Sequence, residues 1–154
     1  MAITGIDAVV YGVSDMEKSR RYFSDWGLRK AKSGKTESIL TTANGAEVVL
    51  RTAAKYLPPA IERGATLREI VWRVSAKKDL RDIEKELSKD REVTTDKAGT
   101  LHSTDDLGLG IAFRVARQRK IKPADPPMNS PISINRIDKR ATSETLCAEH
   151  RSVP

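Results

Sequence analysis

Cysteine and long apolar runs are scarce in this sequence, and each scarcity removes a class of protein. The 154 residues include one cysteine, Cys147, so a disulfide framework is excluded and a reducing compartment is expected. No run approaches the roughly 20 apolar residues that a membrane-spanning helix needs. Residues 1–5 lack the basic-then-apolar pattern of a secretory signal. We therefore expect a cytoplasmic protein with no membrane partner.

Histidine is also scarce, which limits the metal sites that the chain can build. Of the two histidines, His150 lies near Cys147 in a polar tail, and two such ligands do not make a zinc site. His102 is the only histidine in the part that is expected to fold. Cys147 has no flanking motif and is interpreted as a plain thiol.

The formal charge of +7 is concentrated in the tail rather than in the folded part. Residues 116–154 hold eight Lys or Arg and four Asp or Glu, a surplus of four, which leaves about three for the first 115 residues. A mildly basic domain with a basic tail does not have the electrostatic footprint of a nucleic-acid-binding protein. No nucleic-acid partner is expected.

The first sixty residues predict the order strand, helix and three strands. Residues 6–13 are short and β-branched, and Ser14-Asp15 supplies helix-capping side chains. Met16, Tyr22, Phe23 and Trp26 recur at helical spacing before Gly27, so one aromatic face is expected to pack on a sheet. Extended pieces follow, with Asn44-Gly45 as a hairpin turn; they are residues 28–32, 37–41 and 47–52.

The same order of elements is predicted a second time after Pro58-Pro59. A strand at residues 68–74 ends at Ser75, a candidate helix cap, and Leu80, Ile83 and Leu87 form the apolar stripe of a helix. Three extended pieces complete the unit, at residues 92–96, 100–104 and 110–117. A shift of 61 residues overlays the two opening strands, and a shift of 63 overlays residues 45–51 on 108–114. Two nearly equal offsets favour an internal repeat.

The repeat defines the domain organisation. Residues 1–118 are interpreted as one module, with repeat one at 1–58 and repeat two at 59–118. Residues 119–154 are punctuated by Pro123, Pro126, Pro127 and Pro131 and lack sustained periodicity, which indicates a polar linker or tail. We expect this segment to lead to a second module.

The module resembles the vicinal oxygen chelate superfamily, which groups glyoxalase-like proteins, bleomycin-resistance proteins and extradiol dioxygenases. The resemblance covers about three quarters of the chain. It is carried by residues 6–19 (Ile-Asp-Ala-Val-Val-Tyr-Gly-Val-Ser-Asp-Met-Glu-Lys-Ser), by Tyr22-Phe23 and Gly27-Leu28, and by Asp105-Asp106-Leu107-Gly108.

The resemblance implies an α+β fold in which two βαβββ repeats form a curved mixed sheet, with helices on the convex face and a ligand cup on the concave face. Strand alternation agrees with this implication. The residues expected under the helices are Val9, Tyr11, Val13, Ile70, Trp72 and Val74; those expected to face the cup are Ala8, Val10, Gly12, Glu69, Val71 and Arg73.

The resemblance also implies where a metal would be bound. In metal-containing members, ligands on the first, fifth and last strands converge on the ion, and here those positions hold Ala8, Glu69 and Ala112. A methyl group cannot coordinate a metal, and one carboxylate is too few for a divalent ion. The chain alone is therefore expected to bind no metal or other cofactor, and Fe(II) or another divalent metal would belong to a missing second module.

Five residues are candidates for binding a small-molecule ligand: Arg51, Glu69, Arg73, His102 and Arg114. The three arginines share cup-facing parity and could bind an anion through forked hydrogen bonds, or could pair with Glu47 and Glu69. Glu69 could act as a base in a dry cup, or could pair with Arg73 or Arg114. His102 could be an acid or base, or a hydrogen-bonded sheet histidine. The acidic turn at 105–108 is interpreted as structural.

Two functions fit this sequence, and a truncated remnant without function remains a third reading. The first is the metal-free N-terminal module of a ring-cleaving extradiol dioxygenase-like enzyme, in which the chemistry lies outside this chain. The second is a metal-independent, small-molecule-binding homodimer of the bleomycin-resistance kind. Cup-facing arginines and the net charge argue against a cationic ligand and favour an aromatic or anionic one.

Overall fold

The computed structural model of the chain describes residues 3–52, 57–62, 64–121, 129–130 and 133–134. Cys147 and His150 lie outside the described residues, and so does most of the predicted tail. None of the described helices is long and apolar enough to span a membrane.

Repeat one folds in the predicted order. Its helix begins directly after Asp15, whose side chain accepts a hydrogen bond from the Lys18 amide at 2.9 Å. The elements are β1 (Ile3–Gly12), α1 (Met16–Asp25), β2 (Arg29–Ser33), β3 (Glu37–Thr41) and β4 (Glu47–Arg51).

Repeat two has the same order with one shorter strand. Its elements are β5 (Thr66–Val74), α2 (Lys77–Leu87), β6 (Thr94–Thr95), β7 (Leu101–Thr104) and β8 (Gly110–Val115). The strand predicted at 92–96 is reduced to two residues, because Asp96 ends it with a turn: its carboxylate accepts from the amides of Ala98 and Thr100. Two further strands, β9 (Asn129–Ser130) and β10 (Ser133–Ile134), pair with each other.

The eight strands of the two repeats form one mixed sheet in the order β2-β3-β4-β1-β5-β8-β7-β6. The register of the central antiparallel pair confirms the internal repeat. Ala8 pairs with Val71 and Val10 pairs with Glu69. Glu69 and Val71 are the residues 61 positions after Ala8 and Val10, so the two pairs are equivalent in the repeat. In the flanking parallel pairs Ala8 lies opposite Glu47, and Glu69 lies opposite Gly110, which is 63 positions after Glu47. The repeats are therefore related by a local two-fold axis.

The sheet carries apolar clusters on both faces: one under each helix, and a third on the opposite side. We call the side that carries α1 and α2 the helix face and the other side the open face. Alternation of residues along the strands was predicted correctly, because Val9, Tyr11 and Val13 pack under α1, and Trp72 and Val74 pack under α2. The open-face cluster contains Ala8, Val10, Val49, Val71 and Ala112, with Ile39 and Leu57 packed against it.

The first helix, α1, buries less aromatic surface than the sequence predicted. Met16 is buried and Phe23 packs on the apolar cluster under α1, but Tyr22 and Trp26 are each about half exposed. The Tyr22 ring instead contacts Phe23 and Trp26, with centroid distances of 5.2 and 5.4 Å. Ser75 was also predicted wrongly as a cap, because the chain stays extended through Ala76, which is the N-cap of α2 and has no capping side chain.

Both hairpin turns that the sequence predicted are present. Asn44 is buried and Gly45 has a φ of 87°. The acidic turn is structural, since the Asp105 carboxylate accepts from the amides of Leu107 and Leu109 at 2.9 and 2.8 Å. Gly108 provides the left-handed conformation that this turn requires, with a φ of 85°.

Candidate functional site

The three positions that would hold a metal lie on the open face, and they do not form a metal site. Ala8 and Ala112 are buried in the open-face cluster, where their methyl groups meet Val10, Val49 and Val71. Leu57, from the connection between the repeats, packs on the same cluster. The space is therefore apolar and occupied by the chain itself.

Glu69, the third of these positions, is the one carboxylate among them, and it is engaged elsewhere. A divalent metal in a catalytic site of this kind needs about three protein ligands. Within the described residues, no group of three His, Cys, Asp or Glu is placed to hold a metal ion. The described residues at these positions do not fit the metal that the resemblance implies, because two of them are alanines and the third, Glu69, bonds a histidine.

Glu69 instead contacts His102, which lies on β7 beyond β8. The side chain of Glu69 is 5% exposed, and the His102 Nδ1 atom lies 2.7 Å from its Oε1 atom. The other ring nitrogen, Nε2, lies 3.4 Å from Oδ2 of Asp96 in the turn between β6 and β7. The predicted salt bridge of Glu69 with Arg73 or Arg114 is therefore wrong, because the Glu69 carboxylate bonds His102 on β7 instead.

The two carboxylates stabilise the charged imidazole. The hydrogen bond with Glu69 raises the pKa of His102 above its usual value, and this effect outweighs the partial burial, which lowers it. Burial by itself would raise the pKa of Asp96, but the hydrogen bonds from the Thr100 amide and from His102 lower it. Glu69, His102 and Asp96 thus form a hydrogen-bonded triad across three elements.

The triad forms one wall of an open cleft of about 510 Å³ on the open face. This volume lies within the range of roughly 300–1,000 Å³ that is typical of small-molecule sites. The described residues of its lining are acidic overall; they are Arg51, Pro58, Glu69, Glu92, Thr94, Asp96, His102, Ser103 and Thr104.

Arg73 and Arg114 lie outside this cleft, in an ion network at the other end of β5. Arg73 is 3% exposed and donates from Nε to Oδ1 of Asp7 at 3.0 Å, and from a second nitrogen to the Ile6 carbonyl at 2.8 Å. Arg114 bonds Oδ2 of Asp7 through Nε, and donates to Glu47 at 2.8 Å. Repeat one supplies both carboxylates and repeat two both guanidinium groups.

Arg51 is also paired, since its Nε lies 2.9 Å from Oε2 of Glu37. All three candidate arginines are on the open face, as their parity predicted, but each is neutralised by a carboxylate. Glu69 and Arg73 are four positions apart on β5, a distance of about 13 Å along a strand. The five predicted residues therefore divide into two groups: Arg51, Glu69 and His102 at the cleft, and Arg73 and Arg114 in the ion network.

Sequence reasoning missed the residues that complete both groups. Asp7 could have been identified from the sequence, because it is a single carboxylate in an otherwise apolar strand. Asp96 and Glu92 were placed in a strand and given no role. Asp96-Lys97-Ala98-Gly99 has the same Asp-x-x-Gly spacing as Asp105-Asp106-Leu107-Gly108, which could have identified a second turn.

Comparison of sequences identifies no relative: no family model matches the chain, and no curated protein matches it. Comparison of structures, in contrast, finds extradiol dioxygenases. A room-temperature structure of an extradiol ring-cleaving dioxygenase from Brevibacterium fuscum matches with a TM-score of 0.63 and 19% identity, over 77% of this chain and 34% of that chain.

Two related matches give the same picture. Homoprotocatechuate 2,3-dioxygenase from Arthrobacter globiformis matches with a TM-score of 0.63 and 17% identity, over 77% of this chain and 38% of that one. The B. fuscum enzyme in complex with 3,4-dihydroxyphenylacetate matches at 0.63 and 19%, over 39% of its chain. The protein thus has a vicinal-oxygen-chelate-like α+β fold. In particular, it has the fold found in extradiol dioxygenases, and it spans little more than a third of their length.

Proposed function

We propose that this chain is a metal-independent module of an extradiol dioxygenase-like protein, corresponding to the non-catalytic N-terminal module of such an enzyme. The observation that carries the proposal is the pair of buried methyl groups, Ala8 and Ala112, at two of the three metal positions of a complete two-repeat sheet. Leu57 packs over them, so the metal position is replaced by a hydrophobic core. Such a core stabilises the sheet and leaves the ring-cleaving chemistry to another part of the protein.

In this proposal the metal, Fe(II) or another divalent ion, belongs to a second module of the same fold. Either that module or a second copy of this chain is the assembly partner. The length relation supports this arrangement, because the chain matches 34–39% of the dioxygenase chains.

A ring-cleavage assay tests the absence of catalysis directly. The 154-residue chain, supplied with Fe(II), oxygen and 3,4-dihydroxyphenylacetate, is expected to produce no ring-opened product, because no group of three ligands among the described residues is placed to hold the metal. The B. fuscum dioxygenase in the same buffer serves as the positive control. Product formation by the chain that disappears in Glu69→Gln would contradict the proposal.

The cleft favours a second candidate function, namely metal-independent binding of a small molecule of the resistance-protein kind. The sequence argued against a cationic ligand because of the arginines. In the structure Arg73 and Arg114 are in the ion network and Arg51 is paired with Glu37. The described lining of the cleft holds three carboxylates, Glu69, Glu92 and Asp96. Its two basic groups are Arg51 and His102, so the lining is net negative even when His102 is charged. A cation therefore suits this cleft better than an anion.

Two probes of equal size and opposite charge test this function. We expect benzamidine to bind measurably by calorimetry at low salt, and benzoate not to bind, because only the former complements the carboxylates. Glu92→Gln is expected to weaken benzamidine binding several-fold, since an opposite charge nearby contributes about 1 kcal/mol near a protein surface. Glu84→Gln, on the exposed face of α2, is the matched control. Equal binding of the two probes would exclude charge-selective recognition.

A further inference from the structure

His102 connects the turn between β6 and β7 to the centre of the sheet. Glu69 belongs to β5 in the centre of the sheet, and Asp96 belongs to the turn of the edge hairpin β6–β7. β6 has only two residues, Thr94 and Thr95, both of which are exposed and paired with β7 alone. This hairpin is also the wall of the cleft that carries Thr94 and Asp96.

The bridge requires a proton on the imidazole. A histidine donates from both ring nitrogens only when it is charged, and a neutral ring has a single N–H. Glu69 retains that N–H, because its carboxylate is buried and lies at 2.7 Å, whereas Asp96 is solvated and lies at 3.4 Å. In the neutral state the lone pair of Nε2 therefore faces the Asp96 carboxylate, and the hydrogen bond between His102 and Asp96 is lost.

We propose that His102 is a proton-operated latch of the cleft: the charged imidazole ties Asp96, and with it the turn between β6 and β7, to Glu69 on β5, and loss of the proton frees the turn and lets an organic cation take the place of the lost charge. The ligand half of this inference rests on the proposed binding function. The charged groups around the ring are Glu69 on β5, Asp96 in the turn, Glu92 after α2, and Arg51 on β4 with its partner Glu37 on β3.

The direction of the pH dependence follows from the contacts. Glu69 raises the pKa of His102, so the bridge is fully formed below the ordinary pKa of histidine and is lost as the pH rises through the raised value. Below that value a bound cation must displace the proton, so benzamidine binding is expected to strengthen up to about tenfold per pH unit and then to level off.

Nuclear magnetic resonance of the 154-residue chain tests the latch without any ligand. The two imidazole signals are assigned with His150→Gln. We expect the pKa of His102 to lie above the ordinary value of histidine, and to fall in Glu69→Gln. The titration of the unaltered chain remains decisive if a variant does not fold. A His102 pKa at its ordinary value in that chain would overturn the proposal.

Amide exchange provides the second readout, with an internal control. The Asp96 amide donates to the Thr100 carbonyl at 3.0 Å, and in the equivalent turn the Asp105 amide donates to Leu109 at 2.9 Å. Above the pKa of His102, protection is expected to fall at Asp96 and to persist at Asp105. Asp96→Asn keeps the turn but removes the charge, so its exchange should lose this pH dependence. Parallel loss of protection at both amides would overturn the latch.

The ligand arm separates this inference from the function on which it rests. Benzamidine affinity that rises with pH in the unaltered chain, and is independent of pH in His102→Gln, supports the coupling. A pH-independent affinity in the unaltered chain overturns the coupling alone. Absence of benzamidine binding at every pH overturns the cation-binding function and the ligand half of the inference, whereas the imidazole and amide measurements decide the latch.

Discussion

At the scale of single residues, the ion network of Asp7, Glu47, Arg73 and Arg114 places buried charges inside the fold. Asp7 bonds both arginines, and Arg73 is 3% exposed, so water cannot solvate its charge. Burial of charges costs several kcal/mol per ion unless they are paired. Asp7 is consequently the residue on which the charge balance depends.

Asp7→Asn is expected to destabilise the protein by about 3–5 kcal/mol, because it leaves the buried Arg73 without an opposite charge. The free energy of unfolding in urea measures this loss. Asp90→Asn is the matched control: Asp90 bonds Arg91 at 2.9 Å on the surface, where solvent screens the pair and its loss should change the stability little. Equal effects of the two substitutions would mean that the network does not stabilise the fold.

At the scale of elements, the two helices show how local chemistry defines an element's start. α1 has a capping carboxylate at Asp15, whereas α2 starts at Ala76 with no side chain to accept from its first amides. The four first amides of a helix have no intrahelical partner, so a cap removes a real cost.

Opposite effects on stability are expected from substitutions at these two caps. Asp15→Ala should lower the free energy of unfolding by about 1 kcal/mol, and Ala76→Asp should raise it by about 0.5–1 kcal/mol. Thermal or urea unfolding measures both. A destabilising Ala76→Asp would indicate that the start of α2 is constrained by packing rather than by its unpaired amides.

The sequence predicted the order of the helices and strands well, but it predicted the length of β6 and the start of α2 poorly. Alternation of apolar residues in β1 and β5 predicted which side of the sheet each residue faces, because a period of two is a local property. The shortening of β6 was missed, since it depends on the bonds of Asp96 to the amides of its own turn. Ser75 was misassigned as a cap because the chain remains extended for one residue more.

At the scale of the whole molecule, the sheet brings together residues that are far apart in sequence. Asp7 meets Arg73 across the central pair of strands, and Glu69 meets His102 across β8. Residue types and strand parity predicted the open face for Arg51, Glu69 and Arg73. They could not predict which charges neutralise each other, because that depends on strand register and on the path of the turns.

The proposed function depends on the apolar cluster and the Glu-His pair that stand at the metal positions of this fold. Native mass spectrometry of the chain after incubation with iron, manganese and zinc measures whether these residues retain a metal. We expect a spectrum with no retained metal at any oligomeric state. One metal per chain, lost in Glu69→Gln, would contradict the proposed function and would make Glu69 and His102 metal ligands.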